Sequence, residues 1–414
     1  MNFRVTLFDL LLLLHVSRSV AYGPKWYTCN SSTCSNGCSC ASTSPPGGLS
    51  PNRTPQFILL THDDTVHPKS TANIDTLVGG MTHSNGCRLP CTFFVMTNGS
   101  DPKTIKQRWQ MGDEIGAHAT NHVNQLDPEV GEQEKISEIV GSRDWILEKT
   151  SIPREHVVGY RTPLLAESVE QRQLLVDSGF LYDSSIVESV KGEQLKKTRV
   201  WPYSMDAGVP QNRHRIKKGE EGKERHHGLW EVPVWVLLHQ GNRYCMDPGR
   251  GEEGNDEEGD PYEILKSNLD AAYDGNRAPI PFYIHLFWFN GEREKRARKF
   301  VEYALSKPGV YFVTMQTLIA WIADPVPVKE MDTWLARRCN GSLTTKTSKV
   351  GSHSGGEIRE HSEAYGLAGL SSSSFTQAGG ISSGSIALAA ASVMMVTAVL
   401  TRRRKLRRIA RAQK

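Results

Sequence analysis

Between residues 55 and 324 the chain alternates short apolar runs with amphipathic stretches, and no other feature restricts its fold so strongly. Apolar runs of about four to eight residues set between segments of helical period are the pattern of a β/α architecture. The runs at 57–60, 92–96, 114–117, 157–160, 180–182, 229–234, 281–284 and 311–314 are the expected strands. Helices are expected between them at 102–111, 128–149, 167–177, 262–273 and 292–305. So many successive units, without a GxGxxG or P-loop glycine motif, point to a distorted (β/α) barrel rather than an open nucleotide-binding sheet. Inserts at 211–227 and 247–260 break the alternation, and their charge runs read as solvated loops.

The flanks read as export and anchoring signals. Arg4, the apolar stretch 10–14 and Ser19-Val20-Ala21 form a signal-peptide pattern over 1–21. A small Cys-rich segment, 22–54, leads into the main domain, 55–339. Residues 340–380 are rich in Ser, Thr and Gly, the composition of a flexible stalk. The uncharged stretch 381–400 is the length of a membrane span, and the basic tail 401–414 behind it is a stop-transfer flank. This predicts a single-pass type I protein at the cell surface, its main domain outside. A lipid-anchor signal shares the small residues and apolar tail but ends without a basic extension.

The formal charge of +4 arises in that tail, which carries eight Lys/Arg and no acid, so the rest lies near −4 and gives no support to a nucleic-acid partner. In an exported chain Cys29, Cys34, Cys38, Cys40, Cys87, Cys91, Cys245 and Cys339 are expected to form disulfides; the spacing of the first four does not suit a zinc knuckle. Asn30, Asn52, Asn98 and Asn340 open glycosylation sequons.

Chemistry is concentrated where the expected strands end. Asp63, Asp64, His118, Arg161, Asp183 and His285 each fall at, or just beyond, the C-terminal end of one, the face that holds the active site in β/α barrels. His118 and His122 stand in a His-x3-His array that can place two imidazoles on one ion. The adjacent carboxylates can divide their labour, one on the metal and one on its water. Two histidines and one carboxylate leave an open coordination position, as in a catalytic zinc site.

These residues carry a resemblance to the polysaccharide deacetylases of carbohydrate esterase family four, and within it to the animal-type chitin deacetylases. The family's Thr-Phe-Asp-Asp resembles Thr61-His62-Asp63-Asp64, its His-x3-His is similar to His118–His122, and its Arg-x-Pro-Tyr to Arg161-Thr162-Pro163-Leu164. Its late histidine resembles His285, and the similarity runs over roughly 29–339. The resemblance implies a deacetylase-type distorted barrel that removes acetyl groups from N-acetylglucosamine units of a chitin-like polymer. It implies Asp64, His118 and His122 as ligands of zinc or another divalent transition metal such as Co2+. Asp63 would be the general base, His285 the general acid, and Arg161 the group fixing Asp63. The main-chain N–H of Leu164 would serve the oxyanion, and Asp183 would orient His285. His62 and Leu164 depart from the family's Phe and Tyr. Trp201, Trp230, Trp235 and Trp288 are candidates for stacking on sugar faces. The alternatives are another acetylated glycan as substrate, or a catalytically silent wall-binding protein; the latter would lack Asp63 or a ligand, and none is missing.

Overall fold

In the computed structural model, which describes residues 22–30, 34, 37–188, 192–211, 222–250 and 259–339, the strands follow chain order. They are β1 (Gln56–Asp64), β2 (Thr92–Val95), β3 (Glu114–Ala117), β4 (Gly159–Tyr160), β5 (Tyr182–Asp183), β6 (Val187–Glu188), β7 (Tyr203–Ser204), β8 (Trp230–Glu231), β9 (Val234–Trp235), β10 (Leu237–His239), β11 (Asn242–Tyr244), β12 (Ile280–His285) and β13 (Val310–Phe312). The main sheet runs β12–β1–β2–β3–β4–β5–β8–β7, with β13 also paired to β1. Every pairing in it is parallel except that of β7 with β8. β1 is buried over its first eight residues, as a parallel strand covered on both faces must be.

Among the described residues no strand pairing joins β7 back to β12, so the architecture is an α/β half-barrel rather than a closed barrel. Closure fails because β4, β5 and β8 each contribute only two paired residues, while β6 and β9, then β10 and β11, pair off into small separate sheets. Backbone of the Cys-rich segment covers the β7 edge: Trp201 N–H donates to Ser42 O and Ser204 N–H to Ser39 O, both at 2.9 Å.

The helices are α1 (Pro68–Val78), α2 (Pro102–Gln110), α3 (Glu132–Ile136), α4 (Ser142–Thr150), α5 (Val169–Asp177), α6 (Pro261–Tyr273), α7 (Glu292–Ser306), α8 (Met315–Ala323) and α9 (Met331–Cys339). Local chemistry sets several of their starts. Asp101 caps α2 and Asp260 caps α6, each with Pro at the first helical position, where a missing N–H costs nothing. Ser168 and Gln171 cap α5 reciprocally. The single helix expected at 128–149 starts instead at Glu132 and passes through a π-helical turn at 137–141 between α3 and α4. Helices α1, α8 and α9 were outside the expected set.

Trp201, Trp230, Trp235 and Trp288 are all buried, which removes them as sugar-stacking candidates. They are packing residues: Trp201 stacks on Trp321 at 5.8 Å, and the indole N–H groups of Trp235 and Trp288 donate to Val200 O and Pro248 O. Disulfides join Cys29 to Cys40, Cys34 to Cys38 and Cys87 to Cys339. The expectation that every cysteine pairs fails at Cys91, a buried thiol at the mouth of β2 whose pKa burial pushes well up. The signal peptide, stalk, membrane span and basic tail lie outside the described residues; among those described, no helix is long and apolar enough to cross a membrane.

Candidate active site

The parallel pairing of β12, β1, β2, β3 and β4 brings the C-terminal ends of five strands to one edge. Asp64 closes β1, while His118 and His122 follow β3. His118 Nε2 lies 3.7 Å and His122 Nε2 3.4 Å from Asp64 Oδ1, and donor atoms of all three lie within 4.8 Å of one another. Backbone strain is concentrated here. Of the non-glycine residues with positive φ, Asp64 (82°), Ala119 (64°), His122 (59°), Leu164 (57°), Leu165 (50°) and Asp247 (52°) all border this edge.

The donor set fits a divalent transition metal. His118 Nδ1 donates to Arg161 O at 2.7 Å, which leaves Nε2 as the lone-pair nitrogen, and that atom is buried without a hydrogen-bond partner. Burial holds the His118 pKa down at about 3 against the opposing pull of Asp64, so the imidazole is neutral and its lone pair free for a metal. Glu138, on the π-helical turn, accepts from the N–H groups of Thr120 (3.1 Å) and Asn121 (2.8 Å) and so holds the loop between the two histidines. A π-turn at such a point is common at functional sites.

Asp63, next to Asp64 on β1, is in a buried ion pair. Its Oδ1 accepts from Arg161 Nη1 at 2.8 Å, and both side chains are almost wholly enclosed. The guanidinium is fixed on every side. Nη1 also donates to Thr61 Oγ1 (3.0 Å), Nε to Ser184 O (2.9 Å) and Nη2 to Ser184 Oγ (2.9 Å). The Phe94 and Tyr283 rings stand 4.2 and 4.4 Å from its carbon. Lysine has neither the fork nor the planarity for this arrangement.

His285 ends β12 and is the register partner of Asp63. Its carboxylate partner is Asp247, not Asp183. Asp247 Oδ2 meets His285 Nδ1 at 2.9 Å, and Oδ1 accepts the His285 N–H at 2.8 Å. Burial alone would lower the His285 pKa, but the hydrogen bond and charge of Asp247, with Asp63 and Asp64 behind them, raise it to about 9. Asp183 is turned the other way: fully buried, it accepts from Ser185 Oγ, whose oxygen accepts Thr162 N–H at 2.9 Å. It therefore supports the turn carrying Leu164 and does not touch His285. Leu164 sits at φ 57°, its side chain well exposed at the rim.

Asp247 and Glu138 are the site residues that reading the sequence missed. Asp247 opens an insert read as a solvated loop, at no strand end, while Glu138 sits inside an expected helix. Glu224 and His226, in the other insert, are likewise buried. The signal in each case is an acid whose surroundings only the fold supplies.

The family model for polysaccharide deacetylases matches residues 50–182. The chain is 26% identical to chitin deacetylase 8 of Bombyx mori over 325 residues, covering 74% of this chain and 80% of that one. It is 28% identical to chitin deacetylase 1 of the same organism over 331 residues, covering 73% of this chain and 58% of that longer one. The match ends at β5, and the candidate donors Asp64, His118 and His122 and the Asp63–Arg161 pair all lie inside it. Residues 50–182 thus carry a polysaccharide deacetylase domain, and the chain is a deacetylase hydrolase.

Proposed function

We propose that the protein hydrolyses N-acetyl groups of N-acetylglucosamine units in chitin or a closely similar polysaccharide, with a divalent metal held by Asp64, His118 and His122. The observation that carries this reading is the convergence at one sheet edge of that donor set, the Asp63–Arg161 pair and the Asp247–His285 pair. Zinc suits two imidazoles and a carboxylate, and a metal so bound supplies Lewis acidity and makes its water more acidic.

The chain's own residues supply the proton transfers. Asp63, held in place by Arg161, takes the proton of the water that attacks the acetamide carbonyl. The Leu164 N–H is the donor for the oxygen that gains charge at that carbonyl. His285, protonated through Asp247, gives its proton to the departing amine, so that water and amide become acetate and free amine. Asp183 enters as support for the Leu164 turn. Leu164 and Phe287, both exposed, follow β4 and β12 and so bracket the ligand strands in sheet order. They offer apolar surface to the CH face of a pyranose.

The deciding experiment is acetate release from a panel of chitin oligomers, other acetylated glycans and acetylated xylan, with and without a chelator. Chelator-sensitive release from the chitin oligomers is expected, and release from xylan alone would replace the substrate class. The export and anchoring signals extend the proposal to a cell-surface enzyme tethered through 381–400, with 401–414 inside. Protease added to intact cells should then remove the catalytic domain and leave a membrane stub.

A further inference from the structure

Two buried acids, neither of them a proton donor or acceptor in the proposed reaction, are paired on strands β5 and β8. Asp183 and Glu231 are register partners on the neighbouring strands β5 and β8, and both are completely buried. Each has one satisfied and one orphaned oxygen. Asp183 Oδ1 accepts from Ser185 Oγ and Glu231 Oε1 accepts from Ile186 N–H at 3.0 Å, while Asp183 Oδ2 and Glu231 Oε2 have no hydrogen-bond partner. Two buried carboxylates at paired positions of adjacent strands repel strongly unless a proton lies between them.

The surrounding charges only partly relieve that repulsion: Arg172 favours the ionised form of both acids, and Glu167 opposes it. The Arg172 guanidinium is shared with Glu224 at 2.6 Å and Glu167 at 2.5 Å, and His226 also turns to Glu224 at 2.8 Å. From β4 the neighbours are the Tyr160 hydroxyl and Arg161, and Arg161 is committed to Asp63; from β12 the neighbour is the Tyr283 hydroxyl. Burial as the largest cause raises both carboxyls, Asp183 to about 6 and Glu231 well above the usual range, and the charge of Asp183 adds to the rise of Glu231.

We infer that Asp183 and Glu231 hold one proton between their two orphaned oxygens and work as a single unit positioning the Arg161–Leu164 turn. The linkage is short. The proton ties β8 to β5, Asp183 holds the Ser185 hydroxyl, and that hydroxyl receives Thr162 N–H, next to the guanidinium that fixes Asp63. Ser184, between the two, grips Arg161 directly through its carbonyl and hydroxyl oxygens. Both acids are positioning residues, since neither reaches the reacting atoms. The proton sharing stands without the deacetylase reading, whereas its effect on turnover rests on that reading.

The test uses the full metal-loaded chain and pH-difference infrared spectra. The wild type is expected to show the carbonyl stretch of a protonated carboxylic acid at neutral pH, absent from both Glu231→Gln and Asp183→Asn. A missing band in the wild type, or one that persists in both variants, overturns the shared proton. Melting provides a second arm. The folded pair keeps a proton that unfolded carboxyls release above about pH 4, so the wild type should lose melting temperature relative to Glu231→Gln as pH rises from about 5 to about 8. Parallel curves would overturn the inference. Glu231→Gln can still donate to Asp183, whereas Glu231→Leu cannot, so kcat should fall about tenfold or more in the Leu variant than in the Gln variant at equal metal content. Equal kcat in the two would remove the positioning role. Absence of acetate release in the wild type would count against the deacetylase reading alone and leave the infrared result standing.

Discussion

Asp63 and His285 are register partners in the parallel pairing of β1 and β12, so the proposed base and acid stand side by side at the ends of adjacent strands. Each is held from its outer flank by one oppositely charged partner: Arg161 at 2.8 Å for the carboxylate and Asp247 at 2.9 Å for the imidazole. The rigid ladder fixes both groups, and the Asp247 charge favours the protonated form of the imidazole. Such a pair can accept and deliver a proton without moving.

The first expected outcome separates Asp63 from its neighbour. Asp63→Asn keeps the three metal donors and loses the base, so metal content should stay near that of the wild type while turnover falls about 10²- to 10⁴-fold. Asp64→Asn weakens the donor set itself, so its defect should ease with excess zinc. Metal analysis beside acetate release checks both, and an Asp63→Asn protein that loses its metal would reverse the two roles.

Arg161→Met should destabilise the fold far more than an ordinary surface change. It leaves the Asp63 carboxylate buried without its counter-charge, which costs about 3–5 kcal/mol. Arg161→Lys keeps a charge but loses the fork to Thr61 and Ser184, and should fall between. Urea denaturation of the three proteins gives the order.

The Asp247–His285 pair predicts a pH dependence with a definite sign. With the folded pKa of His285 raised to about 9 from an ordinary value of about 6.5, the pair's stabilisation is complete below about 6.5 and is lost as pH rises through 9. The acid form needed for turnover is lost over the same upper range. Asp247→Asn removes the raising charge and leaves burial in control, so the alkaline limb of kcat/KM should move to lower pH. A limb that stays in place would detach His285 from that titration.

His62 offers a stabilising substitution beside the site. It is fully buried, both ring nitrogens lack hydrogen-bond partners, and burial depresses its pKa to about 4. Its stabilising neutral state is present above about pH 6.5, and stability is lost as pH falls from there toward 4. His62→Phe removes this titration and the unpaired nitrogens, so it should gain about 1–3 kcal/mol and flatten the acid side of the melting curve. Thermal melts from neutral to acid pH would show it, and a less stable variant would mean that the Phe93 contact at 5.7 Å needs the imidazole.

How much of this was legible in the sequence depends on the range of the interaction. The apolar runs at 57–60, 92–96, 114–117 and 281–284 became β1, β2, β3 and β12 because strand burial writes itself into consecutive residues. Asp63, Asp64, His118, His122, Arg161 and His285 were legible as a group, since a parallel sheet delivers every strand end to one edge. α8, apolar through most of its length, was overlooked because a buried helix and a buried strand share a short apolar signature.

What the sequence by itself determined is much of the β/α order, through periodicity, and it offered the candidate donor residues through motifs spanning a few positions. Tertiary structure alone decided the partners. Asp247 rather than Asp183 serves His285 across a separation of 38 residues, and Arg161 reaches Asp63 across 98. It also decided that the sheet stays open among the described residues and that four tryptophans fill the core rather than line the site. The physical reason is that charge pairing and burial depend on distances between elements, and a sequence carries those distances only after the chain has folded.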